Sequence, residues 1–408
     1  MTQSFHMKSI VHAADYGPSY SGNFIASLKA LAVKCNSHGY RMVWVFPDVV
    51  KEFTWFKELG QLRDSSSYTL SRDASCFANA KALADIAAQE NTTIIHTHFS
   101  FFDLSARMAQ ILLATKFHRI RLVWHVHSAF TDTSRLRRIK DFLKIGVFGR
   151  SCEFMPVSSP LGDAVAERGC PRMRIHVVEN GIDVAHATAQ RASRESIRAA
   201  WGVPDSTLAL LGFGWTPIRK GVDTMLEALA ALRRDGMEIA LIISGSEELK
   251  RFVDNWPDQD IRSSVRLIPS AERVAELYSA ADIFLSPSRA EGWCYSLAEA
   301  MLNRVPVIAA GIPDLIYAEH WPGLYFCEVG NGNSLAKCIR HVAALSKVEL
   351  SARTAQAAEF ISRRHCAESW AQEVWSLYQQ ILGDMRPRTV AGLSGNNRSG
   401  HSRQLPNE

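Results

Sequence analysis

Short apolar runs rich in β-branched residues alternate along this chain with segments of helical hydrophobic period, and the whole alternation occurs twice. In the first half the runs are Ser9–Ala13, Arg41–Phe46, Thr92–His96, Leu122–His127, Phe154–Ser158 and Ile175–Glu179. In the second they are Leu208–Gly212, Ile239–Ser244, Val265–Ile268, Ile283–Ser286, Val305–Ala309 and Leu324–Cys327. Strand-length runs separated by a helix's length are the pattern of βα units, because parallel strands can be joined only by a long crossover. At 408 residues the chain exceeds one ordinary hydrophobic core. The expected class is therefore α/β, with two Rossmann-like doubly wound domains.

The join is expected at Asn180–Gly181–Ile182–Asp183, a turn signal followed by the polar, Arg-rich stretch Gln190–Arg198. That gives a first domain over residues 1–183 and a second over 184–360. Phe360–Leu382 reads as one long helix, with Trp370, Val374, Leu377 and Ile381 at helical spacing. Residues 361–383 of it form a separate element after the second domain. Residues 384–408 are rich in Gly, Ser, Asn and Arg with few apolar residues, the composition of a disordered tail.

A net charge of +5 is too mild and too dispersed to indicate a nucleic-acid binder. None of the eight cysteines forms a C-x-x-C pair or stands at zinc spacing, which fits free thiols in a reducing compartment. The N-terminus lacks the pattern of a secretory signal, and no run is long and apolar enough to span a bilayer. A cytoplasmic placement is expected.

Candidate chemistry concentrates at strand ends in the second half. Ser286–Ala310 reads as strand, polar loop, helix and strand, with Glu291 and Glu299 eight positions apart across the turn and the helix start. Ligands of open α/β sheets bind where strand ends meet helix N-termini. Two carboxylates invite a glycoside-hydrolase reading. Both lie on one short segment, however, which favours divided labour: Glu299 accepting from ribose hydroxyls and Glu291 facing a sugar or leaving group. Backbone N–H groups of Cys294, Tyr295, Ser296 and Leu297 would meet phosphates. Gly212–Gly221 follows a strand and precedes a helix pattern, placing Arg219 and Lys220 near a helix N-terminus as an anion site. The bland alternatives are two surface glutamates and a solvated Arg-Lys turn. His96, His98, His125 and His127 end two strands, and each could instead be a structural core histidine.

Taken together these motifs resemble the family-4 retaining glycosyltransferases. The family's E-x7-E pattern is matched by Glu291–Glu299, its phosphate-binding lysine by Lys220, and its interdomain N-G-[IV]-D by Asn180–Asp183. Its run before the loop is matched by Leu277–Ser288, and a glycine after a second-domain strand by Gly245. The resemblance runs from about Ser9 to Leu382. It implies two facing Rossmann-like domains of the GT-B type, with the C-terminal helix crossing back onto the first. It implies transfer of a sugar from a nucleotide-diphosphate sugar to a glycan or lipid-linked acceptor, in cell-surface polysaccharide or glycolipid synthesis. No cofactor and no metal are implied. Glu291, His127 and Lys220 would be catalytic, with His127 contacting the donor sugar. Gly22, Arg219, Lys220, Glu299 and the amides of Cys294–Leu297 would hold the donor. Three features depart from the family: Trp215 where a Gly-Arg pair is usual, Ser21–Gly22 for a Gly-Gly pair, and Trp293–Cys294–Tyr295–Ser296 without the second Gly and the Pro. The loop after Val265–Ile268, which contacts the base in relatives, is shorter here. A nucleotide-sugar epimerase of the same fold and a non-catalytic nucleotide- or glycan-binding protein stay open as alternatives.

Arg135–Ile145 is the densest basic stretch, with Leu136, Ile139, Phe142 and Leu143 near helical spacing. It reads either as a surface helix packing its apolar face inward or as a contact with anionic membrane at the inner face.

Overall fold

The computed structural model describes residues 7–115, 118–132, 134–188, 194–269 and 274–383. The tail 384–408 and part of the loop expected to face the base lie outside them. Twelve strands form two separate six-stranded sheets. The first contains β1 (Lys8–Ala14), β2 (Tyr40–Pro47), β3 (Ser65–Leu70), β4 (Thr92–His98), β5 (Arg121–Val126) and β6 (Glu153–Pro156), in the order β3-β2-β1-β4-β5-β6. The second contains β7 (Leu208–Phe213), β8 (Ile239–Gly245), β9 (Val265–Pro269), β10 (Ile283–Ser286), β11 (Val307–Ala310) and β12 (Leu324–Cys327). Its order, β12-β11-β10-β7-β8-β9, repeats the first with its own numbering. Every strand pair is parallel. Both sheets are doubly wound, and each reverses direction beside its first strand, where a crevice opens at the strand C-termini.

The second-domain strands fall where the sequence places them. The first domain differs at both edges. The polar strand Ser65–Leu70 is absent from the apolar pattern because it is an edge strand whose side chains bond sideways: Ser66 and Tyr68 hydroxyls donate to Glu90 at 2.8 and 2.7 Å. Ile175–Glu179, expected as a strand, makes only an isolated bridge from Ile175 to Phe154. It turns away toward the hinge after the Val178 N–H reaches Pro156 O at 3.1 Å.

Phe360–Leu382 is not one helix. Lys347–Arg364 and Ala367–Gly383 are separate, broken where the hinge residue Ile182 inserts. Its N–H donates to His365 O at 2.7 Å and its C=O accepts from Ala367 N–H at 2.9 Å. Beyond the break, Trp370, Val374, Leu377 and Ile381 bury into the same cluster as Leu28, Leu31 and Trp44 of the first domain. The last helix thus crosses back to cover one face of the first sheet. Each such buried side chain contributes about 1.5–3 kcal/mol, which holds the helix there. The helices Cys76–Gln89 and Asp103–Ala114 cover the other face. No helix among the described residues is long and apolar enough to cross a membrane.

Candidate functional site

The crevice of the second sheet is built by two loops that hold each other. After β7 the chain turns through Gly214–Gly221, with Lys220 N–H bonded to Thr216 O at 2.9 Å and Val222 N–H to Pro217 O at 2.9 Å. Gly221 has φ +70°, and a Cβ there would stand 2.1 Å from Pro287 O, so the turn needs glycine. Arg289, from the loop after β10, clamps this turn. Its N–H donates to Arg219 O at 2.8 Å, and its guanidinium bonds Ile218 O at 2.6 Å and Asp223 through two contacts of 2.8 and 2.6 Å.

Lys220 and Glu291 meet inside this frame. Both are buried, and Lys220 Nζ lies 2.6 Å from Glu291 Oε1. Arg219 stands more exposed, 3.9 Å from Glu291 Oε2, and donates to Ala290 O at 3.2 Å. The Glu291 N–H donates to Asp314 Oδ2 at 3.0 Å. Trp215, at the position of the family arginine, lies under Lys220 with the ammonium 5.5 Å from its ring centroid. An aromatic face thus stands where a second cation is usual, and it favours the ammonium already present.

Glu299 lies in the first helical turns of Tyr295–Leu302. Its oxygens accept from the Asn23 amide at 2.7 Å and the Tyr278 hydroxyl at 3.1 Å. Loss of solvent is the larger influence and pushes its carboxyl up to about 7, against the two hydrogen bonds. Asn23 also accepts the Asp183 N–H at 3.1 Å, so one side chain joins the first domain, the hinge and Glu299. The set of amides expected for phosphates is narrowed. Cys294 N–H already donates to Tyr317 OH at 3.1 Å and Leu297 N–H to Cys294 O at 3.2 Å, which leaves Tyr295 and Ser296 as the open donors of the turn.

The first domain closes over this wall. A Cβ on Gly292 would lie 2.1 Å from His127 O, so the two domains touch backbone to backbone. Gly22, with φ +55°, opens the helix Gly22–Asn36 facing the same crevice. His127 ends a stack of five histidines that also includes His12, His96, His98 and His125; adjacent ring centroids lie as close as 3.8 Å. By distance, His12, His96 and His98, or His98, His125 and His127, could hold a metal ion, since their nitrogens lie within 4.8 Å of one another. Four of these rings, however, already spend nitrogens on hydrogen bonds to one another or to Tyr378, and His125 only stacks against them. Beside His127 a cavity of about 310 Å³ reaches Phe130, Arg137 and Lys144.

The sequence reading missed His12, Tyr378, Asp314 and Tyr317, because each comes from an element far along the chain from the motif it serves. Tyr278 stood inside the Leu277–Ser288 run and Asn23 directly after Ser21–Gly22, each without an assigned partner.

Two doubly wound units that meet beside a buried lysine–glutamate pair give the two-domain architecture expected of a GT-B protein. The "Glycosyl transferases group 1" profile matches residues 193–359 and the "Glycosyltransferase Family 4" profile residues 28–186, together most of the chain. The chain belongs to the family-4, group 1 glycosyltransferases. It is 24% identical over 315 residues to N-acetyl-alpha-D-glucosaminyl L-malate synthase of Bacillus anthracis, covering 75% of this chain and 80% of that protein. It is 25% identical to alpha-monoglucosyldiacylglycerol synthase of Streptococcus pneumoniae, over 77% of this chain and 74% of that one. The fold is similar to that of Anabaena Alr3699/HepE in complex with UDP-glucose, with a TM-score of 0.73, 17% identity, and 92% and 100% of the two chains covered.

Proposed function

We propose that this glycosyltransferase is a retaining enzyme that moves a sugar from a nucleotide-diphosphate sugar to a glycan or lipid-linked acceptor. The observation that carries the reading is the buried Lys220–Glu291 pair at 2.6 Å, with Arg219 beside it and a helix N-terminus facing it. The bond from the anomeric carbon to the diphosphate oxygen breaks as the bond to the acceptor oxygen forms, and charge grows on the departing phosphate. Lys220, Arg219 and the amides of Tyr295 and Ser296 meet that charge. Preorganised donors of this kind are each worth about 10²–10³ in rate. The departing phosphate takes the acceptor proton on the face it leaves, which preserves the anomeric configuration. Glu291, already paired with Lys220, is an acceptor that orients sugar hydroxyls rather than a nucleophile. Glu299 and Asn23 take the ribose. Two side-chain cations serve the diphosphate, so turnover should survive EDTA.

The acceptor side points toward a membrane surface. The helix Arg135–Phe142 is inside out: it buries Asp141, which pairs with Arg137 at 3.0 Å and Arg168 at 3.5 Å. Leu136, Ile139, Phe142 and Leu143 stand exposed among Arg135, Arg138 and Lys140. Apolar residues ringed by cations suit an anionic bilayer, and the cavity beside His127 ends at this helix. A relative whose name describes a glycolipid synthase supports a lipid-linked acceptor.

The test is a thermal-shift screen of UDP, GDP and ADP sugars. The donor should raise Tm by mass action, and the product's anomeric configuration should match the donor's by NMR. An inverted product would end the retaining assignment, and conversion of the donor without any acceptor would favour an epimerase.

A further inference from the structure

Four of the stacked histidines, His96, His12, His98 and His127, are joined through Tyr378 into a single hydrogen-bonded line, and His125 stacks beside it with no hydrogen bond among the described residues. Tyr378, on the helix that crosses back, bonds His96 Nδ1 at 2.5 Å and His12 Nε2 at 3.2 Å. His12 Nδ1 bonds His98 Nε2 at 2.9 Å, and His98 Nδ1 bonds His127 Nε2 at 3.2 Å. His12, His96 and His98 are fully buried, and burial holds all of these rings well below the usual histidine range, so they are neutral.

A neutral imidazole carries one N–H and one lone pair, and a hydroxyl carries one proton. Each contact in the line needs one donor, so placing a single proton places all of them. Two orders satisfy every contact. In the outward order His96 Nδ1–H donates to the Tyr378 oxygen and Tyr378 O–H donates to His12 Nε2. His12 Nδ1–H then donates to His98 Nε2, and His98 Nδ1–H to His127 Nε2. His127, the one ring of the line that is not fully buried, is left with its proton on Nδ1, a nitrogen that is not among the sealed, unpartnered ones. In the inward order every bond is reversed and His127 Nδ1 is a lone pair.

The buried end decides between them. His96 Nε2 has no partner among the described residues. The inward order would make it an N–H sealed away from water, whereas the outward order makes it a lone pair. Orphaned buried N–H groups are rarer and costlier than unfilled acceptors. We infer that the line Tyr378–His12–His98 locks His127 in the Nδ1–H tautomer, so that the cleft receives a hydrogen-bond donor there. His127 would then hold an oxygen of its ligand and could not take a proton from the acceptor hydroxyl. Naming that oxygen as the donor sugar's rests on the function proposed above; the tautomer is a property of the unliganded chain.

The experiment is a histidine-¹⁵N-labelled imidazole NMR spectrum of the full chain without ligand, with the His127 signals assigned by their loss in His127→Gln. The expected result is a protonated Nδ1 and an unprotonated Nε2 at His127. His98→Leu removes the donor to Nε2 and should move the proton to Nε2. His98→Asn, whose amide can donate from the place of Nδ1, should keep it on Nδ1. A wild-type His127 protonated on Nε2 overturns the inference whether or not either variant folds. So does a His98→Leu spectrum unchanged from wild type, or a stoichiometric metal ion bound to His98, His125 and His127 in the purified protein. None of these readings involves transfer, so failure of the enzymatic assignment would appear separately.

Discussion

Lys220 and Glu291 are buried together, so removing Glu291 strands the Lys220 charge in the interior, and removing Lys220 leaves Glu291 only the longer 3.9 Å contact with Arg219. Breaking such a pair costs about 3–5 kcal/mol, whereas replacing both partners by neutral groups of similar shape is near neutral. Lys220→Met or Glu291→Gln alone should therefore lower stability as well as abolish transfer. The double variant should recover most of the melting temperature and none of the activity. A double variant as unstable as either single one would mean that the pair is not what these substitutions disturb. Glu299 makes a separate, pH-dependent prediction. Unfolded, it loses its proton near the ordinary value of 4.5; folded, it keeps it to about 7. Between those values the native state holds the extra proton, so this group's contribution to stability falls as pH rises through that window. Glu299→Gln should remove about 1–3 kcal/mol of that decline in urea melts at pH 5 and pH 8. A nucleotide-diphosphate sugar, whose doubly esterified diphosphate has no proton to lose in the window, should bind wild type more tightly at pH 8 than at pH 6. An equal rise in the Gln variant would sink the ribose role. Lys220, Glu291 and Glu299 were legible in the sequence because loop chemistry and helix starts have local spacing. Asp314, Tyr317, His12 and Tyr378 were not, since they reach the site from different elements and only the folded topology brings them together.

At the level of elements, the turn before the helix Val222–Arg234 is the most constrained piece of backbone. Gly221→Ala must accept a left-handed φ and push against Pro287 O, which should cost about 2 kcal/mol or more and roughly 4–8 °C in Tm. A melting temperature within a degree of wild type would contradict the clamp formed by Arg289. The helix Arg135–Phe142 shows what periodicity alone could not settle. The spacing of Leu136, Ile139 and Leu143 was plain in the sequence, but which face turns inward depended on Asp141 finding Arg168 across the fold. Replacing Leu136 and Ile139 by Ser should abolish sedimentation with anionic liposomes while leaving Tm nearly unchanged, because both side chains are more than half exposed, whereas Phe142 packs its ring on Gly146 and Gly169. Persistent sedimentation would place the membrane contact elsewhere. The strand pattern of the second domain was fully legible because its runs are apolar, at the edges β9 and β12 as well as in the centre. The first domain's edge strand Ser65–Leu70 was not, because polar side chains bonded to Glu90 replace apolar burial there.

Over the whole molecule, the domains meet backbone to backbone at Gly292 against His127 O. Neither backbone can yield, so Gly292→Ala should hold the domains apart. The radius of gyration from X-ray scattering should rise and transfer should fall steeply, while nucleotide binding by the second domain changes little. Unimpaired turnover would show that closure does not pass through this contact. The helix Ala367–Gly383 carries a different consequence. It supplies Trp370, Trp375 and Tyr378 to the core of the domain that is synthesised first. That domain therefore lacks part of one wall of its interior until the second domain has been synthesised. Its sheet waits with an apolar face open to chaperones for as long as the second domain is being made.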